Sequence, residues 1–381
     1  MQTIKKLKQR QAQLDNQRKE STNNWQVHQL DDFDFRGPEY SELLSACDTT
    51  AFQAPEWLAP FYGTFASSSG LEPVIVTLRD QSGQLQMVLP CVRHTVCRIK
   101  IVEPCDAGLS DYNCPIVHPD AVNAIQNDDV LQQQILDALA PCDVFFFRKQ
   151  RAEKIGIESI ISGGSTSLAE VKAHQVDLSA PYDAWALNTL SKNFRSNMRA
   201  KLRKLDKNCG QYWFETLTEP EEITNALRFI QRYRGQRFKN DILSNNSAFE
   251  FYRAIALQNV ETGFAQTFVM SIGEEVIAAY FGLNWDDTHC YLLGAFKPGE
   301  FERYSVGLQT LNALVADRID NNFQNFDFGL GDEPFKKRFN AEDVKIHNTV
   351  YPQTALGKVV ALTYENAKPL KSFLVNNIFR F

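Results

Sequence analysis

The order of predicted elements recurs in the two halves of the chain, and this repetition constrains the fold most. In the first half, residues 73–92 read as two strands around a turn at Gln81–Gly83. Residues 128–140 then have apolar side chains at helical spacing, and the strand-like segment CDVFFFRKQ follows. A strand–turn–strand pattern is thus followed by a helix and another strand.

The second half repeats this order with different residues. Residues 265–296 predict three strands joined by tight turns, and residues 305–321 predict a helix with one apolar face. The next strand opens the segment FDFGLGDEPFKKRF at residues 326–339. The repeated order predicts an α+β (mixed α/β) architecture in two similar halves, each a mixed sheet flanked by helices.

Length and composition divide the chain into three parts. Typical domains of roughly 100–200 residues predict two domains in 381 residues, and a hydrophobic content of 44% suffices for packed cores. Residues 1–24 are polar, so we expect a disordered tail there. We place the domains at residues 25–185 and 186–381, with the boundary near residues 183–191.

Charge and cysteine usage exclude several classes of protein. The net charge of −6 argues against a general nucleic-acid binder. The amino terminus lacks the apolar run of a secretory signal, and no segment approaches the ~20 apolar residues of a membrane helix. The eight cysteines form no C-x-x-C pair and have no histidine at zinc-like spacing. We therefore expect a cytoplasmic protein without a metal or a DNA partner.

Six segments carry a resemblance to a known family: LSKNFRSNMRAKLRKLDKNCGQYWFE, VIAAYFGL, YSVGLQTLNALVADRI, FDFGLGDEPFKKRF, MVLPCV and LSDYNCPIV. Together they resemble the CelD-like acetyltransferases associated with bacterial cellulose and exopolysaccharide biosynthesis. The resemblance covers about residues 25–351. It implies two tandem GNAT-like domains, similar to Fem-type aminoacyltransferases, and acyl transfer from acetyl-CoA to a glycan or small-molecule acceptor, phosphorylated or nucleotide-linked in some cases. It also implies peripheral association with membrane polysaccharide machinery.

The resemblance places the coenzyme A site at the start of the helix over residues 305–321. Helix amino termini bind phosphate through unpaired backbone N–H groups and the helix dipole. We expect Ser305 as the N-cap, Val306 and Gly307 beside the pyrophosphate, and Arg303 as an added charge. The chain departs from the common GNAT pattern here, because Ser305 replaces its first glycine and Glu302 its leading basic residue.

The same resemblance points to catalytic groups. A backbone N–H of the strand HCYLLGAF would bind the oxyanion, and Gly294 marks where that strand could bulge. Asp332 and Asp327 are the candidate bases; alternatively, Asp332 caps a helix from Pro334, and Asp327 pairs with an arginine. Phe335 replaces the family's tyrosine, so Tyr291 or Tyr304 would have to protonate the leaving thiolate, unless it leaves unprotonated.

Further residues could bind the substrate. Arg195, Arg199 and Arg203 recur every four residues on one predicted helix face and could clamp an anionic ligand, although a solvated surface helix is the simpler alternative. Lys336 lies just beyond the turn of residues 329–332. Asp111 and Tyr112 could bind acceptor hydroxyls or form a structural turn.

Three functions remain open. The first is an N- or O-acetyltransferase that uses acetyl-CoA on a sugar or amine. The second is an aminoacyl transferase that uses charged tRNA, against which stands the lack of a long coiled-coil insertion between Phe238 and Phe264. The third is a non-catalytic scaffold of polysaccharide machinery, favoured by the altered pyrophosphate loop.

Overall fold

A computed structural model describes residues 25–66 and 70–366 as two mixed β-sheets flanked by helices. The predicted α+β (mixed α/β) class is therefore confirmed. The expectation of a disordered tail concerns residues 1–24, which lie outside the described residues. Among the described residues, no helix combines the length and hydropathy needed to span a bilayer.

The strands of the described residues are β1 Gln26–Leu30, β2 Glu72–Arg79, β3 Leu85–Val96, β4 Ile99–Pro104, β5 Ile116–Val117, β6 Val144–Arg151, β7 Ser165–Leu168, β8 Ala173–Asp177, β9 Tyr212–Leu217, β10 Ala265–Ile272, β11 Glu275–Trp285, β12 Thr288–Phe296, β13 Asn325–Leu330, β14 Glu342–Val344 and β15 Ile346–Pro352. The α-helices are α1 Pro38–Ser45, α2 Pro55–Phe65, α3 Pro119–Gln126, α4 Asp129–Asp137, α5 Tyr182–Thr189, α6 Lys192–Cys209, α7 Pro220–Arg237, α8 Asn246–Gln258, α9 Val306–Asp320 and α10 Ala355–Asn366. Short 3-10 helices occur at Ala51–Gln53, Ile157–Ser159, Ile242–Ser244, Glu302–Tyr304 and Lys336–Phe339.

The two sheets exchange strands. The first has the order β1-β2-β3-β4-β6-β15-β7, with β5 paired to β3, and the second has the order β14-β8-β13-β12-β11-β10-β9. Strand β8 precedes the boundary expected near residues 183–191, yet it lies in the second sheet, and β15 returns from the second half to the first sheet. The sheets thus divide the chain differently from the expected boundary, because backbone pairing joins strands that are distant in sequence.

A shared apolar core joins the two halves. Trp57 of α2 packs edge-on against Phe251 of α8, with the ring centroids 4.9 Å apart. The Trp57 indole N–H donates to Ser110 Oγ at 3.1 Å, and the Tyr252 hydroxyl donates to the Leu109 carbonyl at 2.9 Å. These contacts from both halves fix the loop that leads to Asp111.

Candidate active site

Strands β12 and β13 pair over a short distance and then separate. Their parallel pairing runs from Thr288–Asn325 to Cys290–Asp327 and stops there, whereas β13 stays paired with β8 on its other side as far as Leu330. Strand β12 bulges here, because Gly282 pairs with Tyr291 and Phe281 with Leu293, which leaves Leu292 without a partner in β11. The bulge is at Leu292 and not at Gly294, which pairs with Tyr280. We call the space between the separating strands the strand opening.

The Asp111 side chain of the first half reaches this strand opening. Its Oδ2 accepts a hydrogen bond from the Leu330 N–H at 3.1 Å. A Cβ at Gly329 would lie 2.4 Å from this oxygen, so glycine permits the approach. Burial raises the pKa of Asp111 to about 6, although the Leu330 hydrogen bond and Lys149 oppose the shift. A carboxylate with such a pKa can accept a proton near neutral pH.

Buried charges hold the loop before Asp111. Lys149 donates to the Ser110 carbonyl at 2.6 Å and lies 3.4 Å from Asp106. Burial alone would raise the pKa of Asp106, but Lys149 and Arg148 hold it at about 2. The ionised Asp106 accepts from the Gly108 N–H at 2.7 Å and the Asn113 side chain at 3.0 Å. This network holds the loop before Asp111 in place and thereby positions the Asp111 side chain.

Tyr291 supplies a hydroxyl near the same opening. Its side chain is half-buried, and its hydroxyl would lie 2.8 Å from a Cβ built on Gly294. Within the described residues, no side chain or backbone group forms a hydrogen bond with it. Burial raises the pKa of Tyr291 to about 12, so the phenol stays protonated and can donate. The neighbouring Tyr280 hydroxyl is already engaged, donating to the Gly307 carbonyl at 2.9 Å.

Asp327 joins the two halves. It forms an ion pair with Arg151 of the first sheet, and it accepts from the Tyr112 hydroxyl at 2.8 Å and the Gly329 N–H at 2.7 Å. Asp327 is 2% exposed. Pairing with an arginine is therefore the arrangement that the structure shows, and the Tyr112 hydroxyl is occupied by the same carboxylate.

The turn after β13 places Asp332 and Lys336 differently from the expectation. Asp332 is exposed at its side chain and lies 3.1 Å from His174 Nε2, and no backbone N–H of the Lys336–Phe339 helix donates to it. Lys336 is buried and donates to the carbonyls of Gly329, Leu330 and Gly331 at 3.0, 2.9 and 2.8 Å. The Lys336 ammonium therefore stabilises the turn. Its three N–H groups are engaged there, so none is left to bind the acceptor substrate.

The start of α9 differs from a capped helix. Ser305 has a left-handed φ of 56°, and its hydroxyl caps no backbone N–H but accepts from Lys201 of α6 at 2.8 Å. Val306 is buried, and a Cβ at Gly307 would meet the Phe296 ring at 2.8 Å. Arg303 is exposed and stacks on the Tyr304 ring at 4.9 Å. Packing, in addition to any ligand, thus requires glycine at position 307.

Sequence reasoning missed a groove beside Gly294. It has a volume of about 420 Å³ and lies between the end of α7, the end of β12 and the segment before α9. Arg234 is paired with Asp241 at 2.8 Å, whereas the exposed Arg237 stacks on Phe238 at 5.1 Å and forms no ion pair among the described residues. Glu302 is the acidic residue of the lining. We call this feature the β12 groove. The arginines of the segment RYRGQRF, residues 232–238, are the sequence pattern that could have indicated it.

The basic helix α6 divides into structural and exposed arginines. Arg195 is half-buried and donates to the Ala186 carbonyl at 2.8 Å, which anchors α6 to α5. Arg199 and Arg203 are exposed. The three arginines therefore do not form one free clamp.

Comparison with known proteins finds a family match within the second half. Residues 192–337 match the family model described as acetyltransferase (GNAT) domain. No curated protein matches the chain at a significant level. The likeness to CelD-like proteins in particular stays a resemblance.

Solved structures extend the similarity to both halves. FemX is 11% identical with a TM-score of 0.60, over 88% of this chain and 100% of that one. L-PGS from Bacillus licheniformis is 13% identical with a TM-score of 0.51, over 86% and 95%. A tandem GNAT protein from the clavulanic acid biosynthesis pathway is 9% identical with a TM-score of 0.50, over 86% and 98%. At these identities the likeness concerns the fold, which is a tandem GNAT-like fold.

Proposed function

We propose that the chain is an N- or O-acetyltransferase that moves the acetyl group of acetyl-CoA to a sugar or amine acceptor in surface-polysaccharide biosynthesis. One observation carries the proposal. Asp111, a carboxyl with its pKa raised to about 6, and Tyr291, a phenol without a partner among the described residues, both lie beside the strand opening. Acyl transfer from a thioester needs a base that takes the proton of the acceptor and an acid that protonates the leaving sulfur.

The residues divide the chemistry among them. The donor supplies a thioester carbonyl, and the unpaired backbone of Leu292 is the candidate hydrogen-bond donor for its oxygen. Asp111 takes the proton of the acceptor amine or hydroxyl, and Tyr291 gives a proton to the leaving sulfur. Both aspartates of the turn region, Asp327 and Asp332, then act in structure or at the surface and not on the reacting atoms.

The β12 groove suits an anionic donor. Arg234 and Arg237 line it together with Gly294 and Glu302. Arg237 keeps its donors free for a phosphate, and guanidinium groups bind phosphate bidentately. Lys201, which reaches Ser305 at the start of α9, adds a third cation. The proposal therefore places the phosphates of acetyl-CoA between Arg237 and the start of α9.

Within residues 25–66 and 70–185, the corresponding pair of parallel strands is followed by buried charges. Strands β4 and β6 also pair in parallel, at Ile101–Val144 and Val102–Phe145. The next residue, Glu103, is 1% exposed and lies 2.6 Å from Arg148 and 3.1 Å from His94. The buried Glu103 side chain is thus held by contacts within the first half, which supports a single reaction centre in the second half.

A transfer assay tests the proposal. Purified protein is incubated with acetyl-CoA and a panel of hexosamines and hexoses, and released coenzyme A is measured by chromatography. Asp111→Asn should lower turnover about 10²–10⁴-fold because the amide cannot accept the proton. Asp332→Asn is the matched control and should keep full turnover. Full turnover in Asp111→Asn would refute the assigned base.

A second candidate is aminoacyl transfer from charged tRNA, and the exposed basic side of α6 favours it. Arg199, Arg203 and Lys204 are exposed and form no ion pair with the described residues. Such a side would bind RNA phosphates with strong salt dependence. Gel-shift titration of tRNA tests this candidate: the absence of binding at physiological salt eliminates it.

A further inference from the structure

A second cavity lies between the two halves, behind the candidate active site. Its volume is about 220 Å³, and we call it the interdomain cavity. The first half contributes the segment before and within the Ala51–Gln53 helix, and the second half contributes the starts of β12 and β13. The lining residues that carry the argument are Thr49, Phe52, Tyr112, Trp285, Asp286 and Cys290.

Two polar atoms of the lining have no partner among the residues that the structure describes. Thr49 is 4% exposed, and its hydroxyl forms no hydrogen bond. The indole N–H of Trp285 is buried and likewise forms none. Buried polar groups are nearly always hydrogen-bonded, since leaving them unpaired is unfavourable. One donor and one hydroxyl that can donate or accept, from opposite halves of the molecule, are therefore left unpaired in residues that line the cavity.

The charges of the cavity exclude an anionic ligand. Arg151 is engaged by Asp327, Glu153 and Gln175, and Lys154 by Asp48. Asp286 and Asp287 are exposed at the cavity and form no ion pair with any described residue. With its cations occupied and two carboxylates uncompensated, the cavity repels phosphates and carboxylates.

The volume and the lining residues of the interdomain cavity limit the class of ligand further. A volume of about 220 Å³ exceeds the ~30 Å³ share of one water molecule several-fold, but it is below the ~300–1,000 Å³ of pockets for drug-sized ligands. One six-membered ring fits, and a nucleotide does not. The Trp285 ring offers aromatic surface for the C–H face of such a ring, while Thr49, Trp285 and Asp286 are the candidate partners for its hydroxyls.

We propose that the interdomain cavity binds one hexose unit of the acceptor, either uncharged or bearing an amine. The proposal rests on the proposed function, for which it names the acceptor class. Cys290 and Tyr112 of the cavity lining are the chain neighbours of Tyr291 and Asp111.

Binding measured without any donor tests this proposal. Cellobiose, glucosamine and glucose 6-phosphate are titrated into the full chain by calorimetry, as neutral, cationic and anionic probes. Cellobiose or glucosamine should bind, and glucose 6-phosphate should bind at least tenfold more weakly. Thr49→Val and Trp285→Phe, which remove the hydroxyl and the N–H and keep the shape, should each weaken binding about three- to tenfold.

Matched controls come from the same chain. Thr267→Val removes another buried hydroxyl without a partner, in β10 and outside the cavity, and Trp213→Phe alters an exposed indole that donates to Glu215. Both controls should bind the probes as the wild type does. Thermal melting of all four variants shows that each is folded, and Trp285→Phe carries the test if Thr49→Val melts early.

The outcomes separate this proposal from the proposed function. Failure of both sugars to bind, equal binding of glucose 6-phosphate, or unchanged binding in Thr49→Val and Trp285→Phe would each overturn the hexose assignment, even if acetyl-CoA binds. Sugar binding that the two variants weaken, in a protein that does not bind acetyl-CoA, would keep the hexose site and remove the transferase.

Discussion

Asp111 and Asp327 lie near each other at the contact between the halves, but their partners give them opposite properties. Asp327 faces a guanidinium, a hydroxyl and a backbone N–H, and these hold its charge in place. Asp111 receives one backbone N–H and otherwise loses water, so its charged form is disfavoured and its pKa rises. The less satisfied carboxylate is the one suited to take a proton.

The first prediction concerns the pH dependence of stability through Asp111. Its pKa of about 6 in the folded protein exceeds the ~3.9 of an unfolded chain, so the folded state binds this proton more tightly. This contribution is fully present below pH ~4 and is lost as the pH rises through 6. Asp111→Asn has no carboxyl to titrate, so it does not lose this contribution. Urea unfolding should therefore show the free energy of unfolding of the variant rising relative to that of the wild type between pH 4 and pH 7. A constant difference would mean that the pKa is not raised.

The second prediction contrasts two aspartates of the same segment. Asp327→Asn removes the charge opposite the buried Arg151, which should cost about 3–5 kcal/mol of unfolding free energy and lower activity with it. Asp332→Asn alters an exposed pair with His174 and should cost less than about 1 kcal/mol. Urea unfolding at pH 7 measures both, and similar costs for the two variants would contradict the assigned roles.

Sequence reasoning named several of these residues, partly in other roles. Asp111 was expected to bind acceptor hydroxyls or to form a turn and is proposed here as the base, for which Asp327 and Asp332 were the candidates. Tyr291 keeps its expected role in the proposal, and the pairing of Asp327 with an arginine was the stated alternative. The role of Lys336 was not, because its three hydrogen bonds depend on how the turn closes over it. Arg237 was missed since only the fold brings the end of α7 beside Gly294.

At the scale of elements, the packing around β12 explains the glycine on this strand and the glycine at the start of α9. An added Cβ at Gly294 would lie 2.3 Å from the Tyr280 ring and 2.8 Å from the Tyr291 hydroxyl. Gly307 is similarly covered by Phe296. A Gly307→Glu variant would therefore lose stability as well as any bound phosphate, so charge changes at the groove surface are the cleaner probes of a donor.

The third prediction follows from this packing. Gly294→Ala should destabilise the protein by about 1–3 kcal/mol, since the two tyrosines must move. Gly235→Ala is the matched control: position 235 lies in α7 with no atom within 4 Å of the added Cβ, and alanine there should stabilise by roughly 0.5–1 kcal/mol. Thermal melting compares them, and a neutral Gly294→Ala would show that the tyrosines are not packed on β12.

The positions of helices and strands were easier to predict from the sequence than the way in which the strands pair. The helix expected over residues 305–321 is α9. The bulge was expected at Gly294 and occurs at Leu292, because a glycine marks where a strand can deform and pairing decides where it does. The helix expected from Pro334 is the short 3-10 helix Lys336–Phe339.

At the scale of the whole molecule, the exchange of β8 and β15 links the two sheets. No local pattern predicts it, since each strand pairs with partners far away in the chain. The exchange, the Trp57–Phe251 contact and the Arg151–Asp327 pair tie the stability of each half to that of the other.

The fourth prediction is a single cooperative unfolding transition. Urea unfolding followed by circular dichroism and by tryptophan fluorescence should give coincident curves. Arg151→Met removes an ion pair between the sheets but no strand, so it should lower the midpoint and leave one transition. Two separated transitions in the wild type would show that the halves fold independently.

The most direct test of the account is calorimetric titration of acetyl-CoA into the purified chain. We predict saturable binding at one site per chain. Arg237→Glu should weaken it at least tenfold, because the reversal places a negative charge beside the phosphates in the β12 groove. Arg232→Glu, an exposed reversal on the same helix outside the groove, should change affinity less than twofold. The absence of acetyl-CoA binding to the wild type, or equal affinity in Arg237→Glu, would contradict the account.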